Sequence, residues 1–270
     1  MTSDLLAAIV ECARTSANDR ARSASRSALE REAASRSPRG DSFRDALCAP
    51  GVRVIAECKR RSPSRGILRA KYDPAAIAAG YDAAGAAAIS VLTEPAFFDG
   101  SLDHLRAVRG VTSLPILRKD FVVTEFQVVE ARAAGADAVL LIVGALDDVA
   151  LRRLIEVAAS HRLAALVEVH DRVELTRAVQ AGAGIIGVNS RNLRTLDVHP
   201  ETFGELIVTI PAEAVAVAES GLKSGDDLRR LRSAGYDAFL IGERLMLELD
   251  PGRALDTLRA SADVALGELR

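Results

Sequence analysis

Residues 82–92 read DAAGAAAISVL, and this arrangement decides the fold because it returns three more times along the chain. The later copies are RAAGADAVLLI from Arg132, VQAGAGIIGVN from Val179 and RSAGYDAFLIG from Arg232. Each copy is typical of a helix tail that stops at a glycine and runs into a buried apolar strand. The glycines at positions 85, 135, 182 and 235 are 50, 47 and 53 residues apart. That period fits two strand–helix units of about 25 to 30 residues each.

A further strand is therefore expected inside each interval, and the sequence supplies one every time. These strands are LPILRKDF from Leu114, LAALVEVH from Leu163 and AVAVAES from Ala214, and VRVIAECK at 52–59 completes a set of eight. Helical periodicity occupies the segments between them, at 73–84, 125–134, 149–161, 171–181 and 224–234. The alternation predicts an α/β fold, a single (β/α)8 TIM barrel over residues 51–270. An open doubly wound sheet is the alternative, but no G-x-G-x-x-G pattern follows the first strand to support it.

The composition bounds the class of protein. The chain has 270 residues, 49% of them hydrophobic and 27% charged, which is typical of a globular domain. A formal net charge of -2 gives no general attraction to nucleic acid or membranes, so neither is expected as a partner. We find no apolar stretch of membrane-spanning length and no secretory signal. Three cysteines without a CxxC pair fit a reducing cytoplasm, and four scattered histidines predict no metal site.

Residues 1–50 differ in composition from the rest and predict an N-terminal helical extension. Asp4 to Cys12 has an amphipathic pattern, with Leu5, Ile9 and Cys12 expected on one side. Arg20 to Ser37 predicts a second, polar helix, which the sequence SPRGD at 37–41 ends. A loosely attached tail is one interpretation. The other, which we favour, is an extension that packs on the barrel, caps the active-site end and influences substrate binding.

Charged and polar residues follow almost every predicted strand. In VRVIAECKRRSPSRG at 52–66, Glu57 and Lys59 are two residues apart and leave the strand side by side, while Cys58 faces away and should be inert. Barrel enzymes carry their chemistry at these carboxyl-terminal strand ends, so convergent acids and amines predict catalysis. Structural ion pairs are the plainer interpretation of any one of them. The strand-end residues are Glu57, Lys59, Ser90, Thr93, Glu94, Arg118, Lys119, Asp120, Glu168, His170, Asn189, Arg191, Asn192, Glu219, Ser220, Gly221, Gly242 and Glu243.

The last two strand ends predict a phosphate site. Small residues in Glu219-Ser220-Gly221 and in the segment 241–244, IGER, leave backbone N–H groups open, and a helix is expected to start after the second segment. Ser62 and Ser64 lie in the loop beside them. Glu243 is expected to contribute its backbone and to point its side chain away. Glycines that merely form tight turns are the alternative for either loop alone.

The blocks IAECKRRSPSRG, SVLTEPAFFDGS, LPILRKDFVV, LVEVHD, IGVNSRNLRTLDV, VAESGLKS and IGERLM closely resemble indole-3-glycerol phosphate synthases over about residues 52–248. The resemblance implies conversion of 1-(2-carboxyphenylamino)-1-deoxyribulose 5-phosphate to indole-3-glycerol phosphate, CO2 and water in tryptophan biosynthesis. It also implies a carboxy-lyase that uses no metal and no organic cofactor. A small phosphorylated substrate is then the expected partner, in a cytoplasmic monomer or weak homodimer.

The resemblance also assigns roles to residues. Lys119 is the implied acid, Lys59 the carboxylate-binding lysine that shares later acid duty, and Glu168 the general base. Glu57 would orient Lys59, Asn189 would position groups, and Glu219 would be a substrate-side glutamate. The remaining implied substrate contacts are the phosphate-binding residues Ser62, Ser220, Gly221 and Gly242 with the backbone of Glu243, the carboxylate-binding Arg191, and an aryl slot of Phe98, Phe121, Leu140 and Leu193. Each slot residue has an alternative interpretation as ordinary core.

Two other functions compete with this one. A different phosphate-binding barrel is possible, such as a sugar-phosphate isomerase or an aldolase that forms a Schiff base on Lys119. A non-catalytic phosphosugar-binding protein is the third hypothesis, although it would be expected to have lost one of the catalytic residues. His104 and His170 have no role in the family and are interpreted as surface or loop residues.

Overall fold

A computed structural model describes residues 5–37 and 40–263. Eight parallel strands, each hydrogen-bonded to two neighbours, close into a barrel because the first strand pairs with both the second and the eighth. The predicted (β/α)8 fold and all eight predicted strand positions are confirmed. The strands are β1 (Arg53–Cys58), β2 (Ala88–Leu92), β3 (Ile116–Lys119), β4 (Ala138–Ile142), β5 (Ala164–Val169), β6 (Ile185–Asn189), β7 (Val215–Glu219) and β8 (Ala238–Ile241).

The strands are apolar and almost wholly buried because helices cover their outer faces while side chains fill the barrel. Their register places polar residues at one end. Glu57 lies opposite Ser90, Lys119 opposite Leu92, and Asn189 opposite Glu219. The carboxyl-terminal end of the barrel therefore collects the charged groups, as expected from the sequence.

Helices follow the strands around the outside. They begin at polar caps, as at Thr124 and Ser224, each of which forms a reciprocal capping box. All four repeating glycines have positive φ angles, between 73° at Gly85 and 115° at Gly235, the left-handed conformation that commonly follows the end of a helix. The helices are α4 (Pro74–Ala83), α5 (Pro95–Phe98), α6 (Leu102–Arg109), α7 (Glu125–Ala134), α8 (Asp148–Ser160), α9 (Arg172–Gln180), α10 (Glu201–Ile207), α11 (Gly225–Ala234), α12 (Glu243–Met246) and α13 (Pro251–Asp263), with a 3-10 turn at Val143–Ala145.

Three helices precede the barrel: α1 (Leu5–Ser23), α2 (Arg26–Ser35) and α3 (Gly40–Cys48). The predicted helix boundaries were wrong here, because α1 continues through the expected gap and ends before Ser25, which caps α2. Asp4 lies outside the described residues. The expected face of α1 also needs correction, since Cys12 is exposed. The buried positions, Leu6, Ile9, Ala13 and Ala17, follow the helical period of 3.6 residues more closely.

The extension contacts the barrel at several levels. On α1, Arg20 forms a two-point ion pair with Glu130 of α7, with distances of 2.7 and 2.9 Å. Helix α3 lies at the amino-terminal end of the barrel, where it packs against β1, β2, β5 and β7. Its side chains Phe43 and Leu47 are fully buried. Helix α3 was not predicted, because only these two apolar side chains mark it.

The loop after β1 contains a short antiparallel hairpin that pairs Arg61–Ser62 with Gly66–Ile67. Within residues 5–37 and 40–263, no helix has the length and apolar character needed to cross a membrane.

Candidate active site

A cavity of about 590 Å³ opens at the carboxyl-terminal end of the barrel. Leu5 and Ile9 of α1 form part of its wall, a contribution to the site that the sequence did not assign to particular residues. Every residue that the sequence proposed for the site lies in the lining: Glu57, Lys59, Ser62, Phe98, Lys119, Phe121, Leu140, Glu168, Asn189, Arg191, Leu193, Glu219, Ser220, Gly221, Gly242 and Glu243. Their roles in substrate binding and catalysis stay predictions.

One lysine and two carboxylates form the centre of the cavity floor. The Nζ atom of Lys119 lies 2.8 Å from Oε2 of Glu168 and 3.4 Å from Oε2 of Glu219. The amide of Asn189 donates a hydrogen bond of 3.0 Å to the other oxygen of Glu168. These side chains come from β3, β5, β6 and β7, whose parallel register brings their last residues to one level.

Burial and charge give the two carboxylates opposite properties. Burial raises the pKa of Glu219 to about 8, and the Glu168 carboxylate adds to that effect. Burial acts in the same direction on Glu168, but the cation of Lys119 and the ring of His170 outweigh it and hold the pKa of Glu168 well below its usual range. At neutral pH, Glu219 therefore carries a proton while Glu168 is ionised, which is the arrangement of an acid beside a base.

Lys119 is held as an ammonium ion. Burial lowers its pKa, but Glu168, Glu219 and Glu57 together more than reverse that effect, so the pKa lies above its ordinary value. A proton on Lys119 is available to an acceptor, whereas a free amine for Schiff-base formation is not.

A second pair lies beside the first. Nζ of Lys59 is 2.6 Å from Oε1 of Glu57, which confirms the prediction that these side chains leave β1 together. Glycines make room for the carboxylates: a Cβ atom at Gly242 would collide with Glu57, and one at Gly187 would collide with Glu219. Gly187 was not recognised from the sequence, because only the closed barrel brings β6 and β7 into contact at that point.

Cys58, between the two residues of this pair, is fully buried. Its Sγ atom lies 3.9 Å from the carbonyl oxygen of Pro74 at the start of α4, outside the barrel interior. Burial raises the pKa of the Cys58 thiol, so the side chain is unreactive, as expected from the sequence.

The expected phosphate-binding loops lie at one side of the cavity. Ser220 and Gly221 both have positive φ angles (68° and 69°), so the chain turns sharply after β7. The expectation for Glu243 was wrong. Its side chain does not point away but pairs with Arg65, at 3.1 Å, and with Arg191, at 3.5 Å, both of which line the same cavity.

The proposed aryl slot contains two facing aromatic rings. The ring centroids of Phe98 and Phe121 are 6.3 Å apart and their planes are inclined by 37°. Phe121 and Leu140 are buried while Phe98 and Leu193 are partly buried, so both aromatic and aliphatic surface is available to a flat ligand.

Several strand-end residues have structural rather than chemical surroundings. Glu94 caps α5 by accepting backbone hydrogen bonds from residues 96 to 98. Thr93 donates a hydrogen bond to Asp120, and Arg118 pairs with the same carboxylate at 2.7 Å. Asn192 accepts backbone hydrogen bonds within its own turn. The plainer interpretation of strand-end charge therefore holds for this subset.

The two histidines differ in how they fit the interpretation as surface or loop residues: His170 does lie in the loop after β5, although its ring is not at the surface, whereas His104 lies in a helix. His104 lies on α6, half-buried, with its ring edge to face against Tyr72 at 5.2 Å. His170 is largely buried, with Nε2 3.3 Å from Oε1 of Glu168 and Nδ1 2.9 Å from Oε2 of Glu174. The spacing of Glu168, His170 and Glu174 in LVEVHDRVE was the signal that could have revealed this contact. Among the described residues, no group of His, Cys, Asp and Glu side chains could hold a metal ion.

Comparisons with known proteins point to one family. The family model of indole-3-glycerol phosphate synthase matches residues 6–258. A protein of that name from a Nocardioides species is 57% identical over 207 residues, which cover 77% of this chain and 80% of the relative. Another from Streptomyces griseus is 53% identical over 237 residues and covers 87% and 88% of the two chains.

Solved structures share the fold at low sequence identity. A thiamine phosphate pyrophosphorylase from Pyrococcus furiosus is 20% identical, with a TM-score of 0.61 over 80% of this chain and 98% of the other. A mandelate oxidase with benzoyl-formic acid is 19% identical, with a TM-score of 0.60 over 80% and 72%. These two support the barrel alone. The family match spans almost the whole chain and the relatives are more than half identical to it, so this barrel belongs to the indole-3-glycerol phosphate synthase family.

Proposed function

We propose that this protein is a carboxy-lyase of tryptophan biosynthesis that converts 1-(2-carboxyphenylamino)-1-deoxyribulose 5-phosphate to indole-3-glycerol phosphate, CO2 and water. The observation that carries this proposal is the cluster of Lys119, Glu168 and Glu219 beside the pair of Glu57 and Lys59, in one cavity. The reaction needs an acid, a base and a cation for a carboxylate, and these residue types supply all three.

The first step joins the substituted ring carbon to the ketone carbon of the sugar chain. Lys119 protonates the ketone oxygen as the new C–C bond forms, so the carbonyl becomes a hydroxyl group. Glu219 carries a proton 3.4 Å from the lysine and can replace the one that is donated. The raised pKa of Lys119 keeps its ammonium group protonated and disfavours the aldolase alternative, because a Schiff base forms on the free amine.

The second step breaks the bond between the ring and its carboxylate. Lys59 holds this carboxylate until CO2 leaves, and the bonding electrons restore the aromatic ring. Glu57 keeps Lys59 in place through the 2.6 Å ion pair. The Arg191 guanidinium is a second cation for the same carboxylate, and binding would compete with its contact to Glu243.

The last step removes water. The hydroxyl group leaves after protonation by a lysine, and Glu168 removes a proton from the neighbouring carbon to form the indole double bond. The low pKa of Glu168 keeps it ionised for this task, and Asn189 fixes the orientation of its carboxylate.

The substrate is held at both ends. The phosphate is expected at Ser62, Ser220, Gly221, Gly242 and the backbone of Glu243, where the turn after β7 presents open N–H groups. The aryl ring is expected against the apolar surface of Phe98, Phe121, Leu140 and Leu193. A cytoplasmic monomer or weak homodimer completes the proposal, and sedimentation at several concentrations tests the oligomeric state.

The test is turnover of the deoxyribulose phosphate substrate, followed by indole fluorescence in EDTA. We expect fluorescence to rise in the wild type and in Lys71→Met, an exposed lysine outside the cavity, and to stay flat in Lys119→Met and Glu168→Gln. A rise that EDTA abolishes would contradict proton transfer by side chains alone. Binding without turnover would favour the phosphosugar-binding hypothesis, and borohydride trapping on Lys119 would favour the aldolase.

A further inference from the structure

The ring of His170 lies between two carboxylates at the edge of the cavity. Its Nε2 atom is 3.3 Å from Oε1 of Glu168, and its Nδ1 atom is 2.9 Å from Oε2 of Glu174. The exposed fraction of the imidazole is only 15%. Nδ1 has hydrogen-bond geometry toward Glu174, whereas Nε2 lies at ion-pair distance from Glu168 without hydrogen-bond geometry. Two carboxylates beside one ring favour its charged imidazolium form.

The local sequence produces this geometry. Glu168 and His170 are two residues apart at the end of β5, so their side chains leave on the same side. Glu174 lies in the first turn of α9 and reaches back to accept the backbone N–H of His170 at 2.8 Å as well as its ring. A Cβ atom at Gly144 would lie 2.7 Å from Oε1 of Glu174, so a glycine there leaves space for this carboxylate.

We propose that His170 is a positioning residue: clamped by Glu174, it holds the Glu168 carboxylate in the orientation that leaves Oε2 on Lys119. The inference rests on the general-base role proposed above for Glu168. Three groups then share this carboxylate, with Lys119 on one oxygen and both Asn189 and His170 on the other. Rotation of the carboxylate would break all three contacts, which is why its orientation is fixed.

The carboxylates on either side of His170 support the same role, because they favour the charged form of its ring. Burial lowers the pKa of His170, but its bonds to Glu168 and Glu174 outweigh burial and raise the pKa to about 10. The turn Val143–Ala145, which α9 also contacts, has no titratable side chain, and Arg177 of α9 is occupied by Asp148 and by backbone carbonyls.

The experiment compares His170→Gln and Glu174→Gln with Glu201→Gln. The control removes a carboxylate that pairs with an exposed histidine, His199, at 3.2 Å. Values of kcat and KM are measured from pH 6 to 10, and nitrogen chemical shifts of the imidazole report the titration of His170. Circular dichroism establishes that each variant is folded.

We expect His170→Gln to lower kcat by about 10- to 100-fold, the loss typical of a displaced catalytic group, with little change in KM. In Glu174→Gln the His170 ring should lose its proton about 1 to 3 pH units lower than in the wild type, and kcat should fall with it. Glu201→Gln should match the wild type.

A wild type without turnover would overturn the proposed function itself. A folded His170→Gln variant with the kcat of the wild type would overturn the positioning role. The same conclusion would follow if that variant were less stable but had an unchanged kcat. If His170→Gln does not fold, Glu174→Gln decides the matter. Unchanged titration of His170 and unchanged kcat in that variant refute the proposal, whereas a lowered titration with lower kcat supports it.

Discussion

Replacing Arg118 by methionine should destabilise the protein by about 3 kcal/mol, because it removes the cation from a buried network. The guanidinium is 1% exposed and contacts Asp120 at 2.7 Å, the carbonyl of Gln127 at 2.7 Å and Glu130 at 3.4 Å. Removal of one partner of a buried ion pair costs about 3–5 kcal/mol when a charge is left without compensation.

We expect the low end of that range because Glu130 and Asp120 both keep other contacts in the variant. Glu130 keeps its two-point contact with Arg20, so its charge stays paired. Asp120 keeps hydrogen bonds from Thr93 and from the backbone of Phe121, but within the described part of the chain its ion pair with Arg118 is not replaced by another. One buried carboxylate rather than two therefore loses its partner, and the expected penalty is about 3 kcal/mol rather than twice that.

Urea unfolding followed by circular dichroism measures the effect, with Arg152→Met as an exposed arginine control expected to change stability by less than about 0.5 kcal/mol. Adding Asp120→Asn to Arg118→Met removes the carboxylate charge that has lost its partner and should restore part of the lost free energy of unfolding. Wild-type stability in Arg118→Met would refute the reasoning. A double variant no more stable than Arg118→Met would show that lost packing, not charge, dominates.

Lys119→Met should abolish turnover yet leave the affinity for inorganic phosphate within about threefold of wild type, because the expected phosphate loops lie apart from it; near-normal turnover would remove Lys119 from the acid role. Glu219→Gln should become progressively more stable relative to wild type as pH rises from about 4.5 to 8. Over that window only the folded wild type holds the Glu219 proton, so its stability falls with pH; a difference independent of pH would contradict this sign. Deleting residues 1–39 should raise KM about tenfold, because Leu5 and Ile9 no longer cover the cavity. Unchanged KM and stability would contradict a role of the N-terminal extension in substrate binding.

The barrel was predictable from the sequence because its signal is repeated and local. Each copy around Gly85, Gly135, Gly182 and Gly235 marks where a helix ends and a strand begins, and parallel strands must bring their ends together. The site followed from the same logic, since residues such as Lys119 and Glu168 stand at the ends of recognisable strands. The residues that line the cavity could therefore be predicted without knowledge of any contact between residues that are distant in the sequence.

The remaining features depend on contacts that the sequence does not display. Glu243 faces inward because Arg65, which is 178 residues away along the chain, comes within 3.1 Å. Helix α3 is stabilised by burial of Phe43 and Leu47 beneath the barrel, and its apolar sequence pattern is too short to predict a helix. The loop position of His170 was predictable, but its burial was not, because burial depends on the contact with Glu174 of α9.

The position of α3 has a consequence for synthesis on the ribosome. Its residues emerge among the first 50, yet the strands it packs against include β5 and β7, which begin at Ala164 and Val215. At about 5–20 residues per second, translation takes on the order of ten seconds or more to reach β7 after α3 has emerged. Phe43 and Leu47 have no complete docking surface during that interval. The nascent chain therefore exposes an apolar segment that only a nearly finished barrel can cover.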